Sequence, residues 1–141
     1  MSAAWAIPCF TPRRTSSAEP QKHAVASPFL HIIEQHAEEV AFLWLLYSQE
    51  LEAPNPDPGQ LAQLKKRINA HVKGLIQARD DGWNCCAKAL EAHPESGEVF
   101  AASVLALSSS NKGRLEIVQQ TIKAVPETAN GMVAAQGWQL I

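Results

Sequence analysis

Charge is scarce in this chain. Asp, Glu, Lys and Arg supply 18% of its 141 residues, against about a quarter in ordinary soluble domains, a deficit that either leaves apolar surface for a partner or reflects the many alanines. Neither sign dominates. With a net charge of -2, no electrostatic footprint exists for nucleic acid, and the densest cationic group, Lys65-Lys66-Arg67, is the solvated outer side of a helix. Long hydrophobic runs are missing as well: the apolar stretch at 40–47 falls far short of the roughly 18 to 20 residues that span a bilayer. The short apolar start is broken by Pro8, Cys9 and Pro12 and followed by Arg13 and Arg14, the reverse of a secretory signal, so the expected location is the cytoplasm. Three cysteines, an odd number, argue against a disulfide framework. Cys85 and Cys86 diverge as helical neighbours and are expected to be reduced, small core residues. A Gly-rich phosphate loop, G-x-S-x-G, H-E-x-x-H and a strand-borne Ser/His/Asp set are all absent. Neither a cofactor nor an enzymatic activity is therefore expected.

What the chain does have is helical periodicity. Residues 1–27 carry prolines and Ser/Thr clusters without a period, which predicts a disordered leader. Ser27-Pro28 supplies an N-cap and a first-turn proline, so the first helix is expected from about Pro28 to Glu52, opening a single helical domain over 28–141. Its stripe is Ile33, His36, Ala37, Val40, Trp44, Tyr47 and Leu51, recurring every three to four residues. Phe42, Leu45 and Leu46 project from the opposite side. A helix apolar nearly all round is expected to be buried on two sides, as the centre of a stack.

Pro54, Pro56 and Pro58 end that helix. Asp57 caps a second, with Leu61, Leu64, Ile68, His71, Val72 and Leu75 as its stripe to about Ala78. So short a connection predicts an antiparallel pair, with Val40 and Trp44 near His71 and Arg67, and Tyr47 near Leu64, to within one turn. Asp80-Asp81-Gly82 opens a third helix bearing Trp83, Cys86, Ala87 and Leu90, its two acids placed for the helix N-terminus. A fourth, from near Ser96, carries Val99, Phe100, Val104 and Leu107 among the small residues Ala101, Ala102, Ser103 and Ala106. Ser110-Asn111 caps a fifth with Leu115, Val118, Ile122 and Val125 inward, and after Pro126 a sixth bears Ala129, Met132, Val133 and Ala135. The β-branched residues never alternate, so no strand competes. The expected fold is all-α: about six helices forming antiparallel hairpins that stack on their neighbours as a solenoid fragment.

Two features bear on function. His36 and His71 lie on facing stripes, with Glu39 and Arg67 close by. They predict a structural polar layer that sets the register of the first helix pair, with Arg67 clamping Trp44 or Tyr47, or pairing with Glu39. A metal-dependent enzyme using His36 and His71 is the competing reading, but zinc needs three or four converging ligands. The chain also closes on Gly137-Trp138-Gln139-Leu140-Ile141, too apolar for the polar cap of a solenoid end. Such an end packs back on the body, meets another chain, or marks a shortened array, the last being preferred. Trp138, Leu140 and Ile141 are thus candidate partner-binding residues, and self-association through them is possible.

The block Ile32-Ile33-Glu34-Gln35-His36-Ala37-Glu38-Glu39-Val40-Ala41-Phe42-Leu43-Trp44-Leu45-Leu46 resembles the N-terminal signature of an uncharacterised proteobacterial family of HEAT-like repeat proteins. So do Arg67 to Leu75, Gly82-Trp83, and Gly97-Glu98-Val99-Phe100-Ala101-Ala102 with Val104-Leu105-Ala106-Leu107. Members of that family are often longer and are commonly encoded near type VI secretion genes. The resemblance implies a HEAT-like scaffold without enzymatic activity, whose protein partner is a secretion effector, an immunity factor or a spike component. Tyr47 departs from the pattern, standing where a basic residue is expected, and the trailing repeats are missing. An immunity protein occluding a toxin is the alternative within the binding class, and it calls for a strongly charged face.

Overall fold

The computed structural model describes residues 18–138 and 140, with side chains from Phe29 onward. They form six α-helices and no strand: α1 (Ala18–Leu51), α2 (Pro58–Gln77), α3 (Asp80–Ala92), α4 (Ser96–Ser109), α5 (Lys112–Ala124) and α6 (Ala129–Gln136), with a 3-10 turn at Pro126–Thr128. The chain divides into two compact units, residues 1–32 and 33–141. The first holds the N-terminal part of α1; the second holds its remainder and every other helix.

Residues 18–27, expected to belong to a disordered leader, are helical, and Ser27-Pro28 lies inside α1 instead of opening it. Pro20 stands in the first turn, where a missing N–H costs nothing. Gln21 to Ala26 contain no breaker, so the helix propagates through them. The rest of the expected leader lies outside the described residues.

Two expected caps are formed. Asp57 Oδ1 accepts from the Gly59 amide at 3.0 Å, with Pro58 next in line, and Asn111 Oδ1 accepts from the Arg114 amide at 3.1 Å. The helix stops at Arg79 and Ser110 use positive φ angles of 57° and 53° in residues other than glycine.

The centre of the second unit is α4, and this corrects the expectation that the first helix is the core element. Gly97 and every residue from Val99 to Ala106 are buried, and α4 packs against α2, α3, α5 and α6. Its small side chains are the reason, because they let neighbouring backbones approach from several directions. A Cβ at Gly97 would stand 2.5 Å from the Ala41 carbonyl oxygen of α1, and one at Gly131 of α6 would collide with the Ser96 carbonyl. Against that hub α1 buries one face: Ile33, Ala37, Val40, Ala41, Leu43 and Trp44. The Trp44 ring stacks on Phe100 of α4 at 5.3 Å and 14°. The second face of α1 is open, since Phe42 is 56% and Leu45 42% exposed and Leu46 is half-buried. Farther along, Val118 is buried as expected, whereas Val133 is exposed and Leu115, Ile122 and Val125 are half-buried.

Candidate functional site

His36 of α1 and His71 of α2, two of the residues expected in a polar layer, meet across the helix pair. His36 Nδ1 and His71 Nδ1 lie 2.9 Å apart, so one ring donates its N–H to the other's bare nitrogen. The ring centroids are 5.1 Å apart and tilted by 54°. Opposing these residues places the α1–α2 pair within one turn of the expected register. Gly74, one turn along α2, leaves the space the His36 imidazole occupies: a Cβ there would stand 2.8 Å from Nε2. Burial holds the His71 pKa below its ordinary value, His36 and Arg67 push the same way, and Glu39 opposes them.

Arg67 does not form the expected clamp. Its side chain is exposed and lines a shallow depression with Asp57, Gly59, Gln60, Gln63 and Leu64, while Trp44 takes Phe100 as its stacking partner. Tyr47 instead meets Trp138 in a T-shaped contact at 5.2 Å and 77°. The cation–π contact that does occur on α5 is Arg114 over Trp83, at 5.2 Å; the same guanidinium pairs with Asp80 at 2.9 Å.

Trp138, expected among the partner-binding residues, is half-buried against the body. Its indole Nε1 donates to Asn69 Oδ1 at 2.7 Å. Its ring meets Phe100 edge-on at 5.0 Å, and Lys65 Nζ lies 5.2 Å from its centroid. Trp138 packs on the body because a large ring with one polar atom finds both an apolar wall and a buried acceptor there. Asn69, an inward-facing amide beside Ile68, carries no motif that would single it out; its only signal is a polar residue among the apolar positions of α2. Leu140 is 37% exposed, and Ile141 lies outside the described residues.

The exposed face of α1 opens onto a groove of about 480 Å³ between that helix, the α3–α4 connection and the 3-10 turn. Phe42, Leu45, Ala41, Pro94 and Val125 supply its apolar wall. Glu38, Glu95, Glu98 and Glu127 stand round it, and no Lys, Arg or His contributes to the lining. Partial burial raises the Glu98 pKa, with Glu95 adding to the rise, while its own backbone amide and His93 act against it. Sequence reasoning assigned Phe42 and Leu45 to a second buried face. Apolar periodicity cannot tell a face covered by its own chain from one left open.

Cys86 is buried and its thiol is pushed up to about 12, chiefly by burial; half-buried Cys85 is also raised, by burial first and then by Glu34 and Asp81. Neither environment generates a thiolate nucleophile near neutral pH. Among the described residues no group of three or more His, Cys, Asp or Glu side chains could share a metal ion, and no helix is long and apolar enough to cross a membrane. Comparison with known proteins finds no matching family model, no matching curated protein and no matching solved structure.

Proposed function

We propose that this chain is a non-enzymatic, HEAT-like helical scaffold that binds a protein partner through the open face of α1. One observation carries this reading: Phe42 and Leu45 are exposed at 56% and 42% on a helix whose other face is buried, and both line a formed groove. Exposed aromatic and aliphatic side chains clustered at a concave site are the anchors protein interfaces use. Helices already packed on α4 present those anchors without an ordering cost on contact. The succession of α2, α4 and α6, each in contact with the next, with α3 and α5 flanking α4, supports the HEAT-like arrangement. On the resemblance in α1, α2 and α4 we take the partner to be a type VI secretion component, in the cytoplasm of a bacterium.

The acidic lining of the groove favours a second reading within the same class, an immunity protein that covers a toxin's basic active-site rim. Affinity capture with the products of genes neighbouring this one tests both. The intact chain is expected to retain one of them and Phe42→Ser to lose it. A partner held equally well by Phe42→Ser would overturn the assignment of the binding face.

A further inference from the structure

The groove's composition says more than that something docks there. Its wall is apolar at Phe42, Leu45 and Val125, and four carboxylates border it without a cation in the lining. None of Glu38, Glu95, Glu98 and Glu127 is engaged in an ion pair among the described residues. The chain as a whole nearly balances its charges, 12 Lys and Arg against 14 Asp and Glu, so this segregation is local. Four like charges round one depression repel one another, and Glu98 already feels both burial and Glu95. Lys88 and His93 share the adjoining depression with Glu38 and Glu98 and offset part of that charge. An acidic occupant would still add to the repulsion, a neutral one would bury carboxylates only partly compensated, and a basic one would relieve both.

We propose that this groove seats a basic amphipathic helix of a partner protein, with an apolar side chain between Phe42, Leu45 and Val125, and Lys or Arg side chains on Glu38, Glu95, Glu98 and Glu127. The inference rests on the protein-binding reading above and adds the partner's chemistry to it. A helix suits the geometry because apolar residues at three- and four-residue spacing place cations on both flanks of a single ridge. Phe42, Glu95 and Glu127 are exposed, so replacing them leaves the packed core untouched.

The test is fluorescence anisotropy with the full chain and a labelled Leu/Lys amphipathic helical peptide, beside its Leu/Glu twin. The Leu/Lys peptide is expected to bind saturably and to weaken as salt is raised, while the Leu/Glu twin does not bind. Phe42→Ser, and separately the double variant Glu95→Lys with Glu127→Lys, are each expected to weaken binding about tenfold. Lys66→Glu, in the basic group on α2, is expected to leave it unchanged. Failure of the Leu/Lys peptide to bind, equal binding of the twin, or indifference to both groove variants would overturn the proposal. Sedimentation velocity of the free chain separates this failure from that of the broader reading. A dimer dissolved by Phe42→Ser would put a second copy in the groove and overturn the basic occupant, yet keep the groove as a protein-binding site. Capture of a partner that ignores Phe42→Ser would remove the site itself.

Discussion

The two imidazoles of the polar layer meet nitrogen to nitrogen, and only one proton fits between them. Protonating both would set two N–H groups against each other at 2.9 Å. The direction of the His71 shift agrees: in the native protein its pKa lies below the ordinary 6.5, with burial as the largest cause. The unfolded chain therefore binds more protons as pH falls through that window, so the stability His71 contributes is present above 6.5 and is lost toward the lower native value. Urea midpoints measured across mildly acidic pH are expected to fall in the wild type and to flatten in His71→Gln. At Trp138 a single atom is at stake. Trp138→Phe keeps most of the ring contacts and removes the N–H that reaches Asn69, and is expected to cost about 1 kcal/mol in denaturant unfolding. Neither contact follows from a motif. Facing stripes bring His36 opposite His71, but the Trp138–Asn69 bond joins residues far apart in the chain and needs the folded coordinates.

At the scale of elements, helix existence and caps were legible before the fold, while the relative burial of helices was not. Asp57-Pro58, Asn111, and the breaks at Pro54–Pro58 and Pro126 mark boundaries through local chemistry, and the structure keeps them. Both α4 and the middle of α1, residues 40–47, are apolar nearly all round. Hydrophobicity alone favours the helix with the larger side chains, but those side chains hold neighbours at a distance, whereas Gly97, Ala101, Ala102, Ser103 and Ala106 admit them. Ser27-Pro28 reads locally as a helix start, but Pro28 lies inside α1, where a proline forgoes one i to i−4 hydrogen bond without ending the helix. Two residues on opposite faces of α1 test the one-sided burial directly. Trp44, 4% exposed and stacked on Phe100, is expected to cost about 3 to 5 kcal/mol when changed to Ala. Phe42→Ser, two positions away on the open side, is expected to stay within about 0.5 kcal/mol of the wild type in the same unfolding assay.

For the second unit as a whole, the placing of α4 governs how the protein comes apart. Long arrays of like modules can peel from an end, losing one pair at a time while the remainder stands; a short stack that shares one central helix cannot. Here α2, α3, α5 and α6 all lean on one rod, and α1 meets it through Ala41 and Trp44. Releasing any of them wets residues that the others still need dry. Far-ultraviolet circular dichroism and tryptophan emission are thus expected to trace one superimposable melting curve, and staggered curves would contradict it. Damage to any single helix is shared by its companions, so a lesion far from the groove would deform the groove by dismantling the support beneath it.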